Sequence, residues 1–511
     1  MDLATALRWT AERHPDRSAV RGTGRHLSYR EWDSRTNRLA RALAAVGVGA
    51  GDRVAFALSG GEPLASLHLA AQKLGAVSVP LSTRFSPDEL RYCLDDSAAR
   101  LLVVDAANAK GAAVATTGGA VLVRETAEID DLAERESDRD LPVAPAETDI
   151  SVMLYTSGTT GRPKGVPRTH RAEHTAAAAH AVQTQQRDAE VVLGVMPMFH
   201  TMGLRTLLAS IVVGGTWVGQ AVFDADEALG LIRSEGVSSL YLVPTIYWSL
   251  LRTGRLHEAR TLARLAYAGA AMTPSLAEEL VAEVNPGAFV NHFGSTEIYT
   301  FTIGPNVAAK PGSAGRAGIF SRVRLVVPEI GAPPNEVVAP GAQGQVIVSM
   351  ASPEAFTGYW QRPDADEKSI REGWYYTGDL AVADDDGDLW VAGRVDDMIN
   401  SGGENVYPDE IEAALIRCPA IDDVCVVGLP HERWGHAITA FVVPARGTDA
   451  VAAAEKTLAF ARDALSSLKQ PKRVIAVEAI PRSGVGKTLR RTLVAGEFEP
   501  QADITKEGER G

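Results

Sequence analysis

Short apolar runs alternate with longer amphipathic segments from the start of the chain to about residue 320. Apolar runs bounded by turn residues predict strands, and the amphipathic segments between them predict helices. The predicted strands are residues 53–59, 76–81, 101–105, 191–196, 239–243, 265–267 and 289–293. Because strands that alternate with helices form parallel sheets, the sequence predicts an α/β fold in which helices cover parallel sheets.

One predicted helix has a clear start signal in Ser86-Pro87-Asp88-Glu89. Ser86 offers a capping oxygen, Pro87 suits the first helical position, and Glu89 can bond back to the Ser86 amide. The sequence therefore predicts a capping box at this position.

The pattern changes after about residue 321. Short predicted strands at 323–327, 344–348 and 388–392 are separated by Gly, Pro and Asp turns, as is typical of a small β subdomain. After Arg394 the sequence predicts a compact α+β section, with helices at 408–417 and 452–468 and strands at 424–428 and 437–443. We therefore predict a large N-terminal domain over residues 1–395 and a small mobile C-terminal domain over residues 396–511.

Charge and cysteine content exclude several classes of protein. The 511-residue chain carries 51 basic and 64 acidic residues, a net charge of -13, so a nucleic-acid partner is not expected. Its three cysteines, Cys93, Cys418 and Cys425, lack metal-ligand spacing and predict reduced thiols. The N-terminus has no apolar signal core, and no apolar run has the length of a membrane span. We expect a cytoplasmic protein without a membrane partner, as a monomer or homodimer.

The strongest local signal is a glycine- and hydroxyl-rich loop after the apolar run at 150–154. It reads Tyr155-Thr156-Ser157-Gly158-Thr159-Thr160-Gly161-Arg162-Pro163-Lys164-Gly165. Glycines allow close backbone approach to a phosphate, hydroxyls donate hydrogen bonds to it, and a lysine adds positive charge. It is not a Walker A loop, because Gly165 follows the lysine where Ser or Thr would stand. The alternative is a polar surface turn, which this density of glycine and hydroxyl disfavours.

Four further segments accompany this loop. They are Asn291-His292-Phe293-Gly294-Ser295-Thr296-Glu297, Tyr375-Tyr376-Thr377-Gly378-Asp379, Gly393-Arg394-Val395-Asp396-Asp397 and Gly484-Val485-Gly486-Lys487. Together the five segments resemble the signature of the adenylate-forming (ANL) superfamily, which comprises acyl-CoA synthetases, adenylation domains and firefly luciferase. The motifs follow the order and spacing of that family along nearly the whole chain, which is far more specific than any one motif alone.

The resemblance implies an enzyme that joins a carboxylic acid to ATP as an acyl-adenylate and then transfers the acyl group to coenzyme A. Two anions must meet in the first step, so positive charge and oriented donors are needed to offset their repulsion. The resemblance implies that Lys487 bridges the carboxylate and the α-phosphate, and that Glu297 binds Mg²⁺. It also implies that Thr296 donates to the α-phosphate and that His200 lies beside the substrate carboxylate. For Lys487 the alternative is a solvated surface lysine, and for His200 a histidine bonded to backbone at a helix start.

The nucleotide site follows from the same resemblance. Phe293 is expected to pack on adenine, Asp379 to accept the ribose hydroxyls, and Arg394 to contact ribose or phosphate; an Asp in such a turn can also simply cap it. The complete expected ATP and AMP set is Thr156, Ser157, Gly158, Thr159, Thr160, Lys164, Gly269, Ala270, Ala271, His292, Phe293, Gly294, Asp379 and Arg394.

Within the superfamily the chain most resembles 4-chlorobenzoate–CoA ligase-like enzymes, through Met196-Pro197-Met198-Phe199-His200 and Arg433-Trp434-Gly435. This implies a hinge at Asp396 and a coenzyme A site. The expected coenzyme A residues are Arg84, Ser401, Gly402, Gly403, Glu404, Trp434 and Lys472. Leu468 and Gln470 depart from the ligase pattern, so a phosphopantetheine on a carrier protein stays open as an alternative acceptor.

The resemblance also predicts which residues contact the acid. The expected acyl pocket consists of Ala179, Thr201, Met202, Gly203, Tyr241, Ala268, His292, Tyr299 and Thr300. Phe199-His200 in place of an acidic residue disfavours an amino-acid substrate, and we interpret Asp224 as a helix cap. His292 is expected to donate to a substrate oxygen. Together these residues favour an aryl or bulky cyclic acid that is larger or more oxygenated than benzoate.

Two further classes of protein share these motifs. A degenerate member could bind nucleotide without catalysis, but Lys164, Glu297, Asp379 and Lys487 are all present. No motif in the sequence specifically favours a luciferase-like oxygenase.

Overall fold

The structure is a computed structural model. It describes residues 1–142, 144–156, 163–329, 331–397, 399–401, 404–406, 408–431, 434–467, 469–482 and 488–505. The chain forms two compact units, and each is described by itself. The first comprises Met1–Val323, Val348–Tyr375 and Gly387–Leu389, and the second comprises Arg324–Ile347, Tyr376–Asp386 and Trp390–Gly511. The domain boundary near Asp396 stays a prediction.

Fifteen strands lie in the described residues before Arg322. They are β1 (Ser18–Gly22), β2 (Leu27–Ser28), β3 (Arg53–Ala57), β4 (Val77–Pro80), β5 (Leu101–Val104), β6 (Leu122–Glu125), β7 (Ile150–Thr156), β8 (Lys164–Thr169), β9 (Val191–Gly194), β10 (Thr216–Gly219), β11 (Ser239–Leu242), β12 (Arg264–Tyr267), β13 (Ala288–Phe293), β14 (Thr302–Gly304) and β15 (Arg316–Ala317).

Eleven helices accompany these strands in the same described part. They are α1 (Leu3–Arg13), α2 (Tyr29–Ala45), α3 (Glu62–Leu74), α4 (Pro87–Asp96), α5 (Ala109–Ala115), α6 (Thr126–Ala133), α7 (His170–Gln183), α8 (Thr201–Val212), α9 (Ala225–Ser234), α10 (Pro244–Arg252) and α11 (Pro274–Val284). A 3-10 turn lies at Leu256–Glu258.

The strands form two mostly parallel sheets. One has nine strands in the order β15-β14-β13-β12-β11-β9-β10-β1-β2, and β13 through β1 run parallel. The other has six strands in the order β6-β5-β3-β4-β7-β8, with only β8 antiparallel to its neighbour. The predicted α/β fold with helix-covered parallel sheets is confirmed.

One large apolar cluster contains side chains from both sheets and from α1, α2, α3, α7 and α8. Trp32 of α2 is fully buried there, and its indole Nε1 donates to Ser66 Oγ at 2.9 Å. The predicted capping box is also confirmed, because Ser86 Oγ accepts from the Glu89 amide and the Glu89 carboxylate accepts from the Ser86 amide. Asp224 caps α9, as interpreted from the sequence.

A five-stranded sheet follows in the chain. Its elements are β16 (Val323–Val326), β17 (Gly344–Ser349), α12 (Pro363–Ser369), β18 (Ile370–Arg371), β19 (Trp374–Ala383) and β20 (Leu389–Arg394). The strands lie in the order β16-β17-β19-β18, and β20 also pairs with β19. A β subdomain therefore forms where the sequence predicts one.

The chain beyond Arg394 forms an α+β section around a six-stranded sheet in the order β22-β21-β24-β25-β26, with β23 also on β24. Its elements are a 3-10 turn (Val395–Asp397), β21 (Ile399–Ser401), β22 (Glu404–Val406), α13 (Pro408–Leu415), β23 (Ile421–His431), β24 (Gly435–Pro444), α14 (Ala450–Ala464), β25 (Arg473–Ala476), α15 (Arg490–Val494) and β26 (Ala502–Thr505). None of the helices in the described ranges has both the length and the apolar character required to cross a bilayer.

Candidate active site

The predicted catalytic and acyl-binding residues of the first unit collect at one edge of the nine-stranded sheet. The neighbouring parallel strands β13, β12, β11 and β9 all end there. Phe293 closes β13, Gly269–Ala271 follow β12, Tyr241 lies near the end of β11, and His200 follows β9. Ligands of open α/β sheets bind beyond the carboxyl ends of the strands, so this edge is the candidate active site.

The predicted phosphate loop connects two antiparallel strands. Thr156 ends β7, Lys164 begins β8, and the two residues pair with each other. Ser157, Gly158, Thr159 and Thr160 lie outside the described residues. Gly165 leaves no room for a side chain, because an added Cβ would stand 2.9 Å from Met153 Sδ. The pairing of β7 with β8 thus fixes the positions of Thr156 and Lys164, which lie at the two ends of the loop.

Lys164 and Glu297 both contact Tyr359, a residue that the sequence did not identify as part of the site. Tyr359 donates from its hydroxyl to Glu297 Oε1 at 2.7 Å, and Lys164 Nζ lies 3.9 Å from the centroid of its ring. Burial first, and then the neighbouring Glu297 carboxylate, raise the pKa of Tyr359, so its hydroxyl remains a proton donor. The two motifs, more than a hundred residues apart in the chain, therefore share one aromatic contact.

A buried ion pair supports the backbone of Thr296 and Glu297. Arg168 is fully buried and forms an ion pair with Glu173, which is 1% exposed. Arg168 Nη1 donates to the carbonyl oxygens of Thr296 at 3.1 Å and Glu297 at 3.2 Å. Its guanidinium also stacks on the ring of Tyr299, 3.5 Å from the centroid. Sequence reasoning missed this pair, because neither residue belongs to a recognised motif.

The geometry of Glu297 fits a role as a Mg²⁺ ligand. Tyr359 occupies Oε1, and no hydrogen bond from the described residues reaches Oε2. Magnesium in nucleotide sites is held by one or two carboxylates together with phosphate oxygens and water. Glu297 supplies one such carboxylate, which Tyr359 orients through Oε1, so that Oε2 can bind the metal ion.

The residues expected around adenine lie at the ends of β12 and β13. Phe293 contacts Phe301 edge to face, with ring centroids 5.1 Å apart. Gly294 must be glycine, since an added Cβ would stand 2.0 Å from the Tyr299 carbonyl oxygen. Gly269 has a φ of +83°, and Ala270 and Ala271 after it are exposed. The backbone edge of this turn is therefore open to a ligand.

The two residues expected at the ribose pair with each other in the second unit. Arg394 Nη1 donates to Asp379 Oδ1 at 2.7 Å, and Arg394 Nη2 donates to the Thr377 carbonyl oxygen at 3.3 Å. Gly378 has a φ of +78°, and a Cβ there would stand 2.7 Å from Arg394 Nη2. The glycine thus allows the turn and the close approach of the guanidinium, which holds the Asp379 carboxylate in place.

Most of the expected acyl-pocket residues are buried close together. Tyr241, His292, Tyr299 and Thr300 are each less than 5% exposed. Met202 and Ala268 are also buried, Gly203 packs against the Pro197 carbonyl oxygen, Thr201 is half-buried, and Ala179 is fully buried on α7.

The donor role expected of His292 needs correction at Nε2. Arg205, which sequence reasoning missed, donates from Nη1 to His292 Nε2 at 2.8 Å, and the Thr300 hydroxyl lies 2.9 Å from the same nitrogen. A guanidinium can only donate, so Nε2 is an acceptor and cannot donate to a substrate oxygen.

His200 is the N-cap residue of α8, and its side chain makes no capping hydrogen bond. The alternative of a helix-start histidine bonded to backbone through such a cap is therefore not supported. The ring instead contacts Phe199, with centroids 4.8 Å apart. Burial lowers the pKa of His200 to about 4, so the imidazole is neutral at neutral pH.

Buried neutral histidines predict acid-sensitive stability. Burial lowers the pKa of His68 to about 3 and those of His170 and the half-buried His200 to about 4, while the pKa values of His180 and His292 lie well below 6.5. The unfolded chain binds these protons near pH 6.5 but the folded chain does not, so stability is highest above that pH. Below it, each such histidine lowers the free energy of unfolding by about 1.4 kcal/mol per pH unit until its folded pKa is reached.

Urea unfolding followed between about pH 8 and about pH 5 tests this expectation. The midpoint should be steady at the alkaline end and fall steeply below about pH 6.5. A midpoint that stays constant across this range would contradict the burial of neutral histidines.

Four of the residues expected at coenzyme A collect in the second unit. Ser401 on β21 pairs with Glu404 on β22 and with Gly435 on β24. Trp434 precedes Gly435, and Lys472 Nζ lies 5.2 Å from its ring centroid. Gly402 and Gly403 lie outside the described residues, and Arg84 is an exposed residue of the first unit.

The expected hinge residue is followed in the chain by Asp397, which helps to anchor the start of α15 in the second unit. Asp396 lies in the 3-10 turn Val395–Asp397, and its role as hinge stays a prediction. Lys487 lies outside the described residues. After it, Arg490 Nη2 forms ion pairs with Asp409 and Glu412, and Arg490 Nη1 with Asp397. The chain is thus fixed three residues beyond Lys487.

Comparisons with known proteins agree with the motifs and the fold. The AMP-binding enzyme family model matches residues 7–360, and the AMP-binding enzyme C-terminal domain model matches residues 410–487. A feruloyl-CoA synthase from Amycolatopsis sp is 36% identical over 94% of this chain and 96% of its own length. A 4-chlorobenzoate–CoA ligase from Arthrobacter sp is 31% identical over 95% of this chain and 93% of its own.

Among solved structures, ATP-bound MatB from Rhodopseudomonas palustris superposes with a TM-score of 0.88 at 28% identity, covering 97% of this chain and 99% of that one. Both family models, the near full-length relatives and the shared fold give one result. The chain belongs to the AMP-binding enzyme family, and with it to the adenylate-forming acyl-CoA synthetases that its motifs resemble.

Proposed function

We propose that this enzyme activates a carboxylic acid with ATP and transfers the acyl group to coenzyme A. A carboxylate oxygen attacks the α-phosphorus and forms a C–O–P bond, while the bond to pyrophosphate breaks. The coenzyme A sulfur then attacks the acyl carbon, a thioester forms, and AMP leaves with the oxygen that joined it to the acyl group. One observation carries the proposal: Tyr359 joins Lys164 to Glu297 beside Thr296 at the carboxyl edge of the parallel sheet.

The proposed roles follow from charge and position. Lys164 and Lys487 supply positive charge to the phosphates, Thr296 donates to the α-phosphate, and neutral His200 lies beside the acid. Glu297 would hold Mg²⁺ through the oxygen that Tyr359 leaves free, and the bound ion would offset the charge of the phosphates. Asp379, fixed by Arg394, accepts the ribose hydroxyls, and Trp434 and Lys472 take part in binding coenzyme A.

An aryl or bulky cyclic acid is the proposed substrate class. The buried aromatic side chains Tyr241 and Tyr299 supply flat apolar surface beside the polar groups of Thr300 and His292. Relatives named for ferulate and chlorobenzoate support an aromatic acid. We also propose a cytoplasmic location, because Cys93, Cys418 and Cys425 are buried free thiols and form no disulfide.

A screen of diverse carboxylic acids tests the reaction. Pyrophosphate release and AMP formation are measured with ATP and Mg²⁺, with and without coenzyme A, and with a carrier protein as the other acceptor. We expect acid-dependent pyrophosphate release, with multiple turnovers only when coenzyme A is present. Turnover with the carrier and not with coenzyme A would replace the proposed acceptor. Absence of AMP formation with every acid would refute the proposed function.

Replacing Tyr359 with phenylalanine tests how Glu297 is held. The hydrogen bond from the hydroxyl to the carboxylate is lost, and bonds to charged groups contribute about 1.5–3 kcal/mol. We expect kcat for adenylation to fall about tenfold or more, and the Mg²⁺ concentration at half-maximal rate to rise. The measurement is the rate of pyrophosphate release as a function of Mg²⁺ concentration.

Tyr247→Phe is the matched control, because its hydroxyl is also buried but donates to backbone, to the carbonyl oxygens of Ala266 at 2.9 Å and Leu240 at 3.2 Å, and not to Glu297. This variant should keep the Mg²⁺ dependence of the parent enzyme. Equal Mg²⁺ dependence in both variants would show that Tyr359 does not orient the proposed metal ligand.

A further inference from the structure

Arg205 is a buried cation with two unused donor groups. It lies on α8, is 2% exposed, and donates from Nη1 to His292 Nε2 at 2.8 Å and to the Tyr241 hydroxyl at 3.3 Å. Its Nε and Nη2 atoms have no hydrogen-bond partner among the described residues. Buried donors are almost always satisfied in folded proteins, so these two atoms require a partner that the described residues do not supply.

The charge of Arg205 is not balanced by a close anion. No carboxylate oxygen in the described part of the chain lies within 4.0 Å of its guanidinium. Glu173 is already paired with Arg168. Glu354 is also buried nearby, beyond ion-pair distance; burial raises the pKa of its carboxyl, and the Arg205 charge opposes that rise. A buried charge normally needs a partner, and the best partner for an open guanidinium edge is a carboxylate.

A second unsatisfied side chain faces the same group of residues. His180 is fully buried, and neither ring nitrogen has a partner within the described ranges. Its ring stacks on His292 with centroids 5.7 Å apart and lies 4.6 Å from the ring of Tyr241. Burial and the Arg205 charge keep the pKa of His180 well below 6.5, so the neutral imidazole carries one N–H donor.

These side chains contact residues of the proposed acyl pocket, and Arg205 lies farther along α8 than the proposed neighbour of the reacting carboxylate. Arg205 contacts Tyr241 and His292 directly, and its guanidinium lies 4.7 Å from the ring centroid of Tyr299. It follows His200, the proposed neighbour of the reacting carboxylate, by five residues on the same helix. At about 1.5 Å per residue, that places the two Cα atoms roughly 7.5 Å apart along the helix axis.

From these contacts we propose that Arg205, with His180, binds a second carboxylate at the far end of the acid, and so selects an aryl or cyclic dicarboxylic acid. This inference rests on the proposed function, because it places the first carboxylate at the adenylation site. The distal carboxylate accepts from Arg205 Nε and Nη2 and from the His180 N–H, and it balances the buried charge.

Matched acids that differ only at the far end test the proposal. The first set has a benzene spacer with a para carboxylate, carboxamide or methyl group: terephthalate, 4-carbamoylbenzoate and 4-methylbenzoate. The second set carries the same three para groups on the longer cinnamate spacer. In at least one set, kcat/KM for the carboxylate should exceed that for the methyl analogue by at least about tenfold, because a buried donor left unpaired costs binding. The carboxamide should fall between them.

Arg205→Met removes the charge and both open donors at similar volume. We expect it to abolish the preference for the distal carboxylate, through a KM that rises much more for the diacid than for the methyl analogue, and to leave the melting temperature unchanged or higher. Arg205→Lys should retain part of the preference, since it keeps the charge without the planar fork. Arg252→Met, at an exposed arginine paired with Glu279, is the control and should keep the parental preference.

Calorimetric binding of the diacids to the parent enzyme and Arg205→Met separates this proposal from the proposed function. If no acid gives AMP but a diacid binds in an Arg205-dependent manner, the function fails and the carboxylate site stands. If both analogues are used equally, or Arg205→Met lowers kcat/KM for both by the same factor and lowers the melting temperature, Arg205 has a structural role and the proposal is overturned.

Discussion

Replacing Lys487 with alanine is expected to reduce adenylate formation by at least about 10²-fold while sparing thioester formation from supplied acyl-adenylate. The reason is that only the first half-reaction brings two anions together, and an ammonium group between the carboxylate and the α-phosphate offsets their repulsion. The second half-reaction joins a thiol to an adenylate already formed. Pyrophosphate exchange measures the first step, and thioester formation from synthetic adenylate measures the second.

Lys469→Ala is the control for a general loss of positive charge. Lys469 is in the same unit, is partly exposed and forms an ion pair with Glu410, so its removal should change neither half-reaction appreciably. If Lys487→Ala slowed both half-reactions to the same extent, the proposed role of Lys487 in adenylation would be wrong.

Glu173→Leu is expected to lower the free energy of unfolding by about 3–5 kcal/mol, because it leaves the buried Arg168 guanidinium without its anion. Arg168 also holds the carbonyl oxygens of Thr296 and Glu297, so the variant should lose adenylation activity at temperatures where it remains folded. Urea unfolding and pyrophosphate release from the same preparation measure the two effects.

The double variant Arg168→Met/Glu173→Leu separates charge from packing. Replacing both members of a buried ion pair by apolar side chains is often close to neutral for stability. We therefore expect the double variant to be more stable than Glu173→Leu and still impaired in adenylation, since the contacts to Thr296 and Glu297 are absent. Additive losses of stability in the two single variants would contradict coupling between Arg168 and Glu173.

Local signals in the sequence located many elements of the fold, although the ends of some of them were misplaced. The capping box at Ser86 was predictable because all its atoms lie within four residues. The helix predicted at 452–468 instead begins at Ala450 and ends at Ala464. Asp449 caps its first turn, a signal that the sequence prediction overlooked, and Leu465 is already extended.

The strand β8 shows why pairing is harder to predict than periodicity. Its residues Lys164–Thr169 include a glycine, a proline and two basic side chains, so they form no apolar run. They are extended because they pair with β7, the strand on the other side of the phosphate loop in the chain. The burial of Arg168 in this strand depends on Glu173 and on backbone carbonyls more than a hundred residues away.

The candidate site likewise contains residues that the sequence could predict and residues that it could not. The motif residues at the ends of β12 and β13 could be assigned from the sequence because the family signature lies at strand ends. Tyr359 and Arg205 could not, since neither belongs to a recognised motif and their partners are 62 and 87 residues away. Their positions become meaningful only when the strands bring Glu297 and His292 next to them.

Oxygen-18 transfer from the acid to AMP tests the central claim most directly. In an acyl-adenylate, one carboxylate oxygen bridges carbon and phosphorus, and attack by the coenzyme A sulfur leaves that oxygen on the phosphate. With an acid labelled at both carboxylate oxygens, we predict one labelled oxygen in each AMP and one in each thioester. AMP without the label, formed together with the thioester, would contradict the account.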